Sequence, residues 1–282
     1  KGLQRLRETP LTIRPAWLLL SGALYLVGLL PAAVFWRRLL RTLGQDARPI
    51  ETLRAYYIGH LGKYVPGKAM VVVLRAGLIR GGRVDTTVAA VTVFYETLMM
   101  MSVGAFWAAA VLMLRFRDHP LLCVLALGLM TAAGLPVVPP VFRRLARIAR
   151  VGKSDPSVET RLHDLGLRSL AEGVSAMTVC WFLLAASLWA VLQSLAAGPV
   201  PFVAQFHLCL ASVSLAMVAG FLSLIPGGAG IREMVLAQLV GGAFGHAVAV
   251  AAAVVLRLVW LAAELMISFV LWCIGRTRDD TT

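Results

Sequence analysis

Long apolar stretches separated by short polar segments run through most of the chain. The stretches at about 16–36, 86–114, 121–138, 170–195 and 247–274 approach or exceed the roughly 20 apolar residues that a helix needs to cross a bilayer. They do not alternate between apolar and polar positions, as the strands of a transmembrane β-barrel would. The pattern therefore predicts an all-α protein, a polytopic transmembrane helix bundle.

Two further apolar segments are interrupted by proline and glycine. The sequence "VPGK" separates apolar pieces at 53–64 and 69–79, and "PGGAGIRE" separates 202–225 from a short piece at 234–240. Non-helical backbone is tolerated at membrane depth only where it is buried in protein or lines a cavity. Helix N-termini that follow such breaks favour anions.

We expect the segments 53–80 and 204–242 each to form a re-entrant helical hairpin, with two short helices around its break. In the orientation given below they enter the membrane from opposite sides, which predicts an inverted repeat of the kind that transporters use. The alternative is coincidence, because Pro-Gly pairs are common.

The composition agrees with a membrane protein. Of the 282 residues, 59% are hydrophobic and 15% are charged, whereas a soluble domain carries about 25% charged residues. The net charge of +13 arises from basic residues that flank the apolar stretches, as in membrane proteins, so we expect no nucleic-acid partner. The four cysteines lack metal-ligand spacing and no nucleotide loop is present, so we expect no cofactor and no metal.

Basic loops predict the orientation. The loops at 36–54, 75–85 and 141–168 and the C-terminus carry most of the Lys and Arg, and we expect them on the cytoplasmic side of the inner membrane. The basic segment 1–14 falls on the opposite side and conflicts with this orientation. A preceding transmembrane helix would remove the conflict.

A basic amphipathic helix is predicted at 141–150, within the cytoplasmic loop. Its apolar positions Phe142, Leu145, Ile148 and Ala149 share one face, and arginines occupy the rest of the circumference. Such a helix lies in the membrane interface and contacts anionic lipid headgroups. The alternative is an ordinary loop whose charges only set the topology.

Charged residues inside or beside the apolar segments define a candidate site, because charges at membrane depth face the bundle interior or water. They are Lys63, Lys68, Glu96, Arg232, Glu233, Arg257 and Glu264. Four are basic and three acidic, so an anionic headgroup such as a phosphate would balance the surplus. The alternative is that Glu96, Glu233 and Arg257 pair with one another and only stabilise the bundle.

Three features together resemble the lysylphosphatidylglycerol synthase transmembrane region, also called the flippase-like domain family. They are "GKYVPGK" followed by Arg75, the helix that bears Glu96, and "SLIPGGAGIRE". The resemblance extends over about 16–274. It implies a multi-pass protein of the bacterial or archaeal inner membrane that handles lipids.

The resemblance also implies binding residues at both motifs. The matching positions are Pro66, Gly67, Lys68 and Arg75 in the first motif, and Pro226, Gly227, Gly228, Gly230, Arg232 and Glu233 in the second. The chain departs from many members at Ala69–Val71, where they carry Gly-Glu. The aminoacyl-transferase domain of the synthases is not in this sequence, so we expect a stand-alone member, one domain over 1–282.

We therefore expect a lipid translocase that binds a phosphate-bearing headgroup in a cavity at the midplane. Lys68, Arg232 and Arg257 would contact the headgroup, while Glu96, Glu233 and Glu264 would orient the cations. One alternative is a membrane enzyme that acts on a lipid through Glu96 and His60, although no catalytic constellation supports it. Another is a non-transporting partner of an envelope lipid-modifying enzyme.

Overall fold

The computed structural model of the protein describes residues 13–65, 69–79, 83–115, 117–148, 156–223 and 225–279, and within these it is helical. The α-helices, in chain order, are α1 (Pro15–Thr42), α2 (Pro49–His60), α3 (Met70–Ile79), α4 (Thr86–Arg115), α5 (Pro120–Gly134), α6 (Pro139–Ile148), α7 (Pro156–Arg161), α8 (Leu167–Leu195), α9 (Phe202–Leu222), α10 (Ile231–Phe244) and α11 (His246–Asp279). Short 3₁₀ turns interrupt or extend them, and two of these, Leu61–Tyr64 and Pro226–Gly228, matter for the site.

The helix lengths confirm the multi-pass membrane class. Within the described residues, α1, α4, α8, α9 and α11 are long and apolar enough to cross a bilayer. A sixth candidate joins Cys123–Val137 to Pro139–Ile148 across a bend of 69°. The apolar stretches identified in the sequence therefore all lie in helices.

Helices α1 and α8 pack together as the centre of the bundle, with α4, α9 and α11 around them. The contact surface uses small residues, which let helices approach closely in a membrane. A Cβ atom on Gly28 would lie only 3.1 Å from the Cβ of Leu183. Ser187 on α8 shares a hydrogen bond of 2.8 Å with Ser21 on α1 and accepts another from the Trp260 indole on α11.

The first interrupted segment forms a tight helical hairpin. Helices α2 and α3 contain 12 and 10 residues, which is shorter than a membrane span. Glycine is required where they meet, because a Cβ atom on Gly59 would lie 3.0 Å from the backbone nitrogen of Arg75. A Cβ atom on Gly62 would lie 2.8 Å from the backbone nitrogen of Val71.

The second interrupted segment differs from the expectation in its first arm. Helix α9 has 21 residues, long enough by itself to cross a membrane, whereas α10 has 14. Between α9 and α10 the chain turns sharply at three glycines in the left-handed region, with φ of 61° at Gly227, 63° at Gly228 and 84° at Gly230. A Cβ atom on Gly228 would lie 2.7 Å from the Cα of Gly220, so the turn folds directly back onto α9.

The two interruptions meet inside the bundle. The 3₁₀ turns Leu61–Tyr64 and Pro226–Gly228 contact each other, and a Cβ atom on Gly227 would lie 3.5 Å from the Tyr64 ring. The element order α2–α3–α4 resembles α9–α10–α11. Whether the two units are related by inverted symmetry, and whether each hairpin is re-entrant, remain predictions.

The basic amphipathic helix is present as α6, but its apolar face is divided. Phe142 and Ala146 are buried, and the Phe142 ring packs against Tyr95 with ring centres 4.5 Å apart. Leu145 and Ile148 are exposed instead. Ala149 and Arg150 lie outside the described residues.

Candidate functional site

A cavity of about 460 Å³ lies where the two interruptions meet. Its walls come from α1, α2, α3, α4, α8, α9, α10 and both 3₁₀ turns. The polar side chains in its lining are Tyr25, Tyr56, His60, Lys63, Arg75, Glu96, Thr97 and Arg232. A second cavity of about 40 Å³, between α9, α10 and α11, shares Lys63 and Arg232 with the first.

The ion pair between Arg75 and Glu96 forms one wall of the large cavity. Arg75 donates to a Glu96 oxygen at 2.6 Å, and both side chains are at most 3% exposed. The Tyr56 hydroxyl donates to the other Glu96 oxygen at 3.2 Å, and its ring lies 3.8 Å beneath the guanidinium carbon. Trp36 approaches the guanidinium from another side. This enclosure holds the Arg75 guanidinium in one position, paired with Glu96.

A second buried pair joins the first hairpin to α11. The Lys63 ammonium and the Tyr25 hydroxyl both donate to the same oxygen of Glu264, which is 1% exposed. Lys63 also donates to the Tyr25 oxygen at 3.1 Å. The three side chains hold α1, α11 and the turn after α2 together.

His60 connects these two pairs. Its Nδ1 lies 3.2 Å from Nη2 of Arg75, and its Nε2 lies 3.7 Å from Glu264 Oε1. Because a guanidinium can only donate, Nδ1 accepts, and a neutral imidazole then carries its proton on Nε2, which faces Glu264. The arrangement is a continuous polar chain from Glu96 to Lys63.

The third pair stabilises the start of α10. Glu233 is hydrogen-bonded to Arg257, and its second oxygen accepts the Gly230 N–H at 2.7 Å. One carboxylate therefore performs both roles open to it, pairing with a cation and capping the helix N-terminus. The two side chains are partly exposed, at 21% for Glu233 and 32% for Arg257.

Arg232 differs from the other three cations. It makes no ion pair or hydrogen bond with the residues that the structure describes, and its Nε is buried without a partner. It passes between two glycines, because a Cβ atom on Gly220 would lie 2.5 Å from its Cγ and one on Gly228 would lie 2.8 Å from its Nε. The fold thus places an uncompensated positive charge between the two cavities.

The charges of the described site sum to +1. Lys63, Arg75 and Arg257 are neutralised by the carboxylates of Glu264, Glu96 and Glu233, respectively, which leaves Arg232. The surplus equals the one expected from the sequence, although that sum used Lys68 rather than Arg75. Of the pairing expected in the alternative, the Glu233–Arg257 pair is present, whereas Glu96 binds Arg75 and not Arg257.

Most predicted site residues converge on the two cavities. Those lining the large cavity are Lys63, Arg75, Glu96, Pro226, Gly227, Gly228 and Arg232. Glu233 and Arg257 line the smaller one, while Gly230 and Glu264 line neither and contact residues that do. Pro66, Gly67 and Lys68 lie outside the described residues.

Sequence reasoning missed the two tyrosines of the site. Tyr25 and Tyr56 hydrogen-bond the buried carboxylates, and the only signal for either was a hydroxyl-bearing ring within or beside an apolar stretch. His60 was considered only as an acid or base for an enzyme. In the described part of the chain, no group of three or more His, Cys, Asp or Glu side chains is arranged to bind a metal ion.

These features define a multi-pass α-helical membrane protein with a charged internal cavity between two interrupted helical segments. The chain belongs to the family described as the lysylphosphatidylglycerol synthase TM region, whose sequence profile matches residues 2–267. This confirms the resemblance noted in the sequence. A search of curated proteins found no match to the chain.

Proposed function

We propose that the protein binds the phosphate-bearing headgroup of an anionic lipid at Arg232 and moves that lipid between the leaflets of the inner membrane. The observation that supports this most strongly is the unpaired Arg232 between two cavities. The Arg232 side chain is partly buried, and its Nε is a buried donor without a partner, which costs about 1–3 kcal/mol. A phosphate would remove that cost, and a guanidinium offers the planar pair of donors that phosphate oxygens accept.

The apolar part of the large cavity suits the rest of a lipid. Phe94, Leu98 and Met101 of α4 and Phe221 of α9 line it. Phe94 is also 52% exposed, so this wall reaches the outer surface of a membrane-spanning helix. An acyl chain can therefore remain in the bilayer while the headgroup occupies the charged end.

The fixed pairs favour binding over catalysis. Glu96 and His60, the candidate acid and base of a lipid-modifying enzyme, both contact Arg75. Both groups are already engaged as partners of that guanidinium, and the Tyr56 hydroxyl donates to the other Glu96 oxygen. The pairs instead keep the cavity walls in place around Arg232.

Helix α6 supplies a second lipid contact in this proposal. Arg144 and Arg147 are exposed beside the exposed Leu145 and Ile148, a combination that favours the surface of an anionic membrane. It would hold the loop at 141–168 against the cytoplasmic leaflet.

Headgroup binding can be tested on purified protein in detergent with short-chain phosphatidylglycerol and, as the zwitterionic comparison, short-chain phosphatidylcholine. We expect the parent to prefer phosphatidylglycerol and Arg232→Gln to lose that preference while unfolding at a similar temperature. Arg168→Gln is the matched control, because Arg168 is 92% exposed on α8 and away from both cavities. Equal binding of the two lipids by the parent would contradict the proposal.

A further inference from the structure

A groove of about 440 Å³ lies on the outside of the bundle, between α1 and α8. None of the described residues that line it lines either cavity of the site. Its lining follows the same spacing on both helices, with Pro31, Val34, Phe35 and Arg38 on α1 and Glu172, Ser175, Ala176 and Val179 on α8. Steps of three and four residues place each set on one face of its helix. The groove is therefore a continuous seam along the two central helices.

The seam runs from one surface of the membrane towards its centre. Helices α1 and α8 are antiparallel, because Ser21 contacts Ser187 whereas Arg38 pairs with Glu172. The charged end of the groove is at Arg38, near the end of α1, and the apolar end at Pro31 is seven residues away, about 10 Å along the helix. One leaflet contributes about 15 Å of hydrocarbon. The groove thus covers most of the depth of one leaflet, the cytoplasmic one in the predicted orientation.

The charged end of the groove suits an anion. Glu172 accepts a hydrogen bond from Arg168 at 3.1 Å, whereas the nearest nitrogen of Arg38 is 3.6 Å from the carboxylate, too far for a hydrogen bond. The side chain of Arg38 is 61% exposed at the mouth of the groove. These three charges sum to +1. The guanidinium of Arg38 can therefore offer its planar pair of donors to a phosphate at the level of the lipid headgroups.

Below this mouth the groove suits an acyl chain. Val34 and Val179 are exposed along its sides, Phe35 is buried beneath it, and Ala176 leaves space in its floor. A helix with its side chains is at least about 10 Å across, so a 10 Å length of one takes up about 800 Å³. The groove is smaller than that, and a transmembrane helix of a partner would not fill it. An occupant that is apolar along its length and anionic at one end is a phospholipid.

We propose that this groove binds one phospholipid of the cytoplasmic leaflet, with the lipid phosphate at Arg38 and one acyl chain along the seam. Every phospholipid carries that phosphate, so the groove favours neither phosphatidylglycerol nor phosphatidylcholine. The inference is therefore independent of the function proposed at Arg232. The lipid contacts both central helices, and its binding to the folded protein stabilises the bundle by mass action.

Native mass spectrometry of the detergent-solubilised protein counts the lipids that remain bound to it. Dimyristoyl phosphatidylcholine is the probe, because the site at Arg232 is expected to prefer phosphatidylglycerol. We expect the parent to retain one phosphatidylcholine under conditions that remove all other lipid. Dimyristoylglycerol has the same chains without the phosphate and should bind about tenfold or more weakly, since it lacks the charge-assisted hydrogen bonds. Phosphatidylcholine should also raise the unfolding temperature of the parent.

Two variants act on the two ends of the proposed contact. Arg38→Gln removes the cation and Ala176→Leu fills the floor of the groove, and we expect each to lose the retained phosphatidylcholine and the rise in unfolding temperature. The matched controls are Arg41→Gln, at an exposed arginine one turn further along α1, and Ala132→Leu, at an exposed alanine of α5; both should keep the lipid.

The outcomes separate this lipid from other occupants and from the site at Arg232. Retention of phosphatidylcholine by Arg38→Gln as strong as by the parent, or retention of several molecules that no variant changes, would show an annular lipid only and would overturn the inference. Dimers that Ala176→Leu abolishes would show that a second copy of the chain covers the groove, which would also overturn it. Arg232→Gln should retain the phosphatidylcholine, so a failure of the proposed function leaves this test unaffected.

Discussion

The substitution Gly220→Ala tests whether Arg232 acts from the position that the fold gives it. A Cβ atom at residue 220 would lie 2.5 Å from Cγ and 2.7 Å from Nε of Arg232. Ordinary contact between such atoms needs about 3.5–4.0 Å. The arginine side chain therefore has to move by about 1 Å, while its charge and all other residues of the bundle are unchanged.

The displacement should affect binding more than folding. Misplacing the guanidinium forfeits a charge-assisted hydrogen bond, worth about 1.5–3 kcal/mol, which corresponds to a loss of about ten- to a hundredfold in affinity for phosphatidylglycerol. Alanine gains up to about 1 kcal/mol over glycine within a helix, which offsets part of the strain of a crowded side chain, about 1–3 kcal/mol. The free energy of unfolding should thus change little.

Calorimetric binding and thermal unfolding of the same preparations provide the two measurements. Gly77→Ala is the matched control, because a Cβ atom there meets no atom within 4 Å, and it should bind as the parent does. In the Arg232→Gln background, Gly220→Ala should cause no further loss. Parent-like affinity in Gly220→Ala, or an equal loss in the Arg232→Gln background, would refute the reasoning.

Three further predictions concern the other charges and the orientation. Glu233→Gln should lower the free energy of unfolding by about 1–2 kcal/mol, since it weakens a partly exposed ion pair and a helix cap; an unchanged unfolding temperature would contradict this. Arg75→Met should cost about 3–5 kcal/mol because it leaves Glu96 buried without its cation, and the double variant Arg75→Met/Glu96→Met should recover much of that loss; equal unfolding temperatures for the single and double variants would argue against a buried charge as the cause. In a cysteine-free background, Asp118→Cys should react with an impermeant thiol reagent added outside intact cells and Asp164→Cys should not; the reverse result would invert the orientation.

The helices were predictable because the bilayer sets their length. Apolar stretches such as 16–36 and 86–114 have no other stable arrangement in lipid than a helix, and α1 and α4 contain them. The break at Pro226 was also predictable from the sequence, because the proline is followed by two glycines. In the structure Gly227 and Gly228 adopt positive φ values that other residues avoid. The first arm of the second segment was misjudged, because it was expected to be a short helix and α9 (Phe202–Leu222) is long enough by itself to cross a membrane.

The pairing of charges was not predictable from the sequence. Lys63 and Glu264 are 201 residues apart, and no periodicity in either segment indicates that the turn after α2 packs against α11. The exception is the contact between Glu233 and the Gly230 N–H. A glutamate three residues after the N-cap residue has the spacing of a capping box. Arg232 was a candidate from its motif, but its lack of a partner depends on which carboxylates the other cations occupy.

Exchange of a fluorescent phosphatidylglycerol between the leaflets of reconstituted vesicles tests the central claim most directly. We predict that the parent accelerates exchange well above protein-free vesicles, that Arg168→Gln matches the parent, and that Arg232→Lys is slower although it still folds, because an ammonium lacks the planar pair of donors. Exchange by Arg232→Gln should approach the protein-free rate. Exchange at the parent's rate in Arg232→Gln, or no acceleration by the parent, would contradict the account.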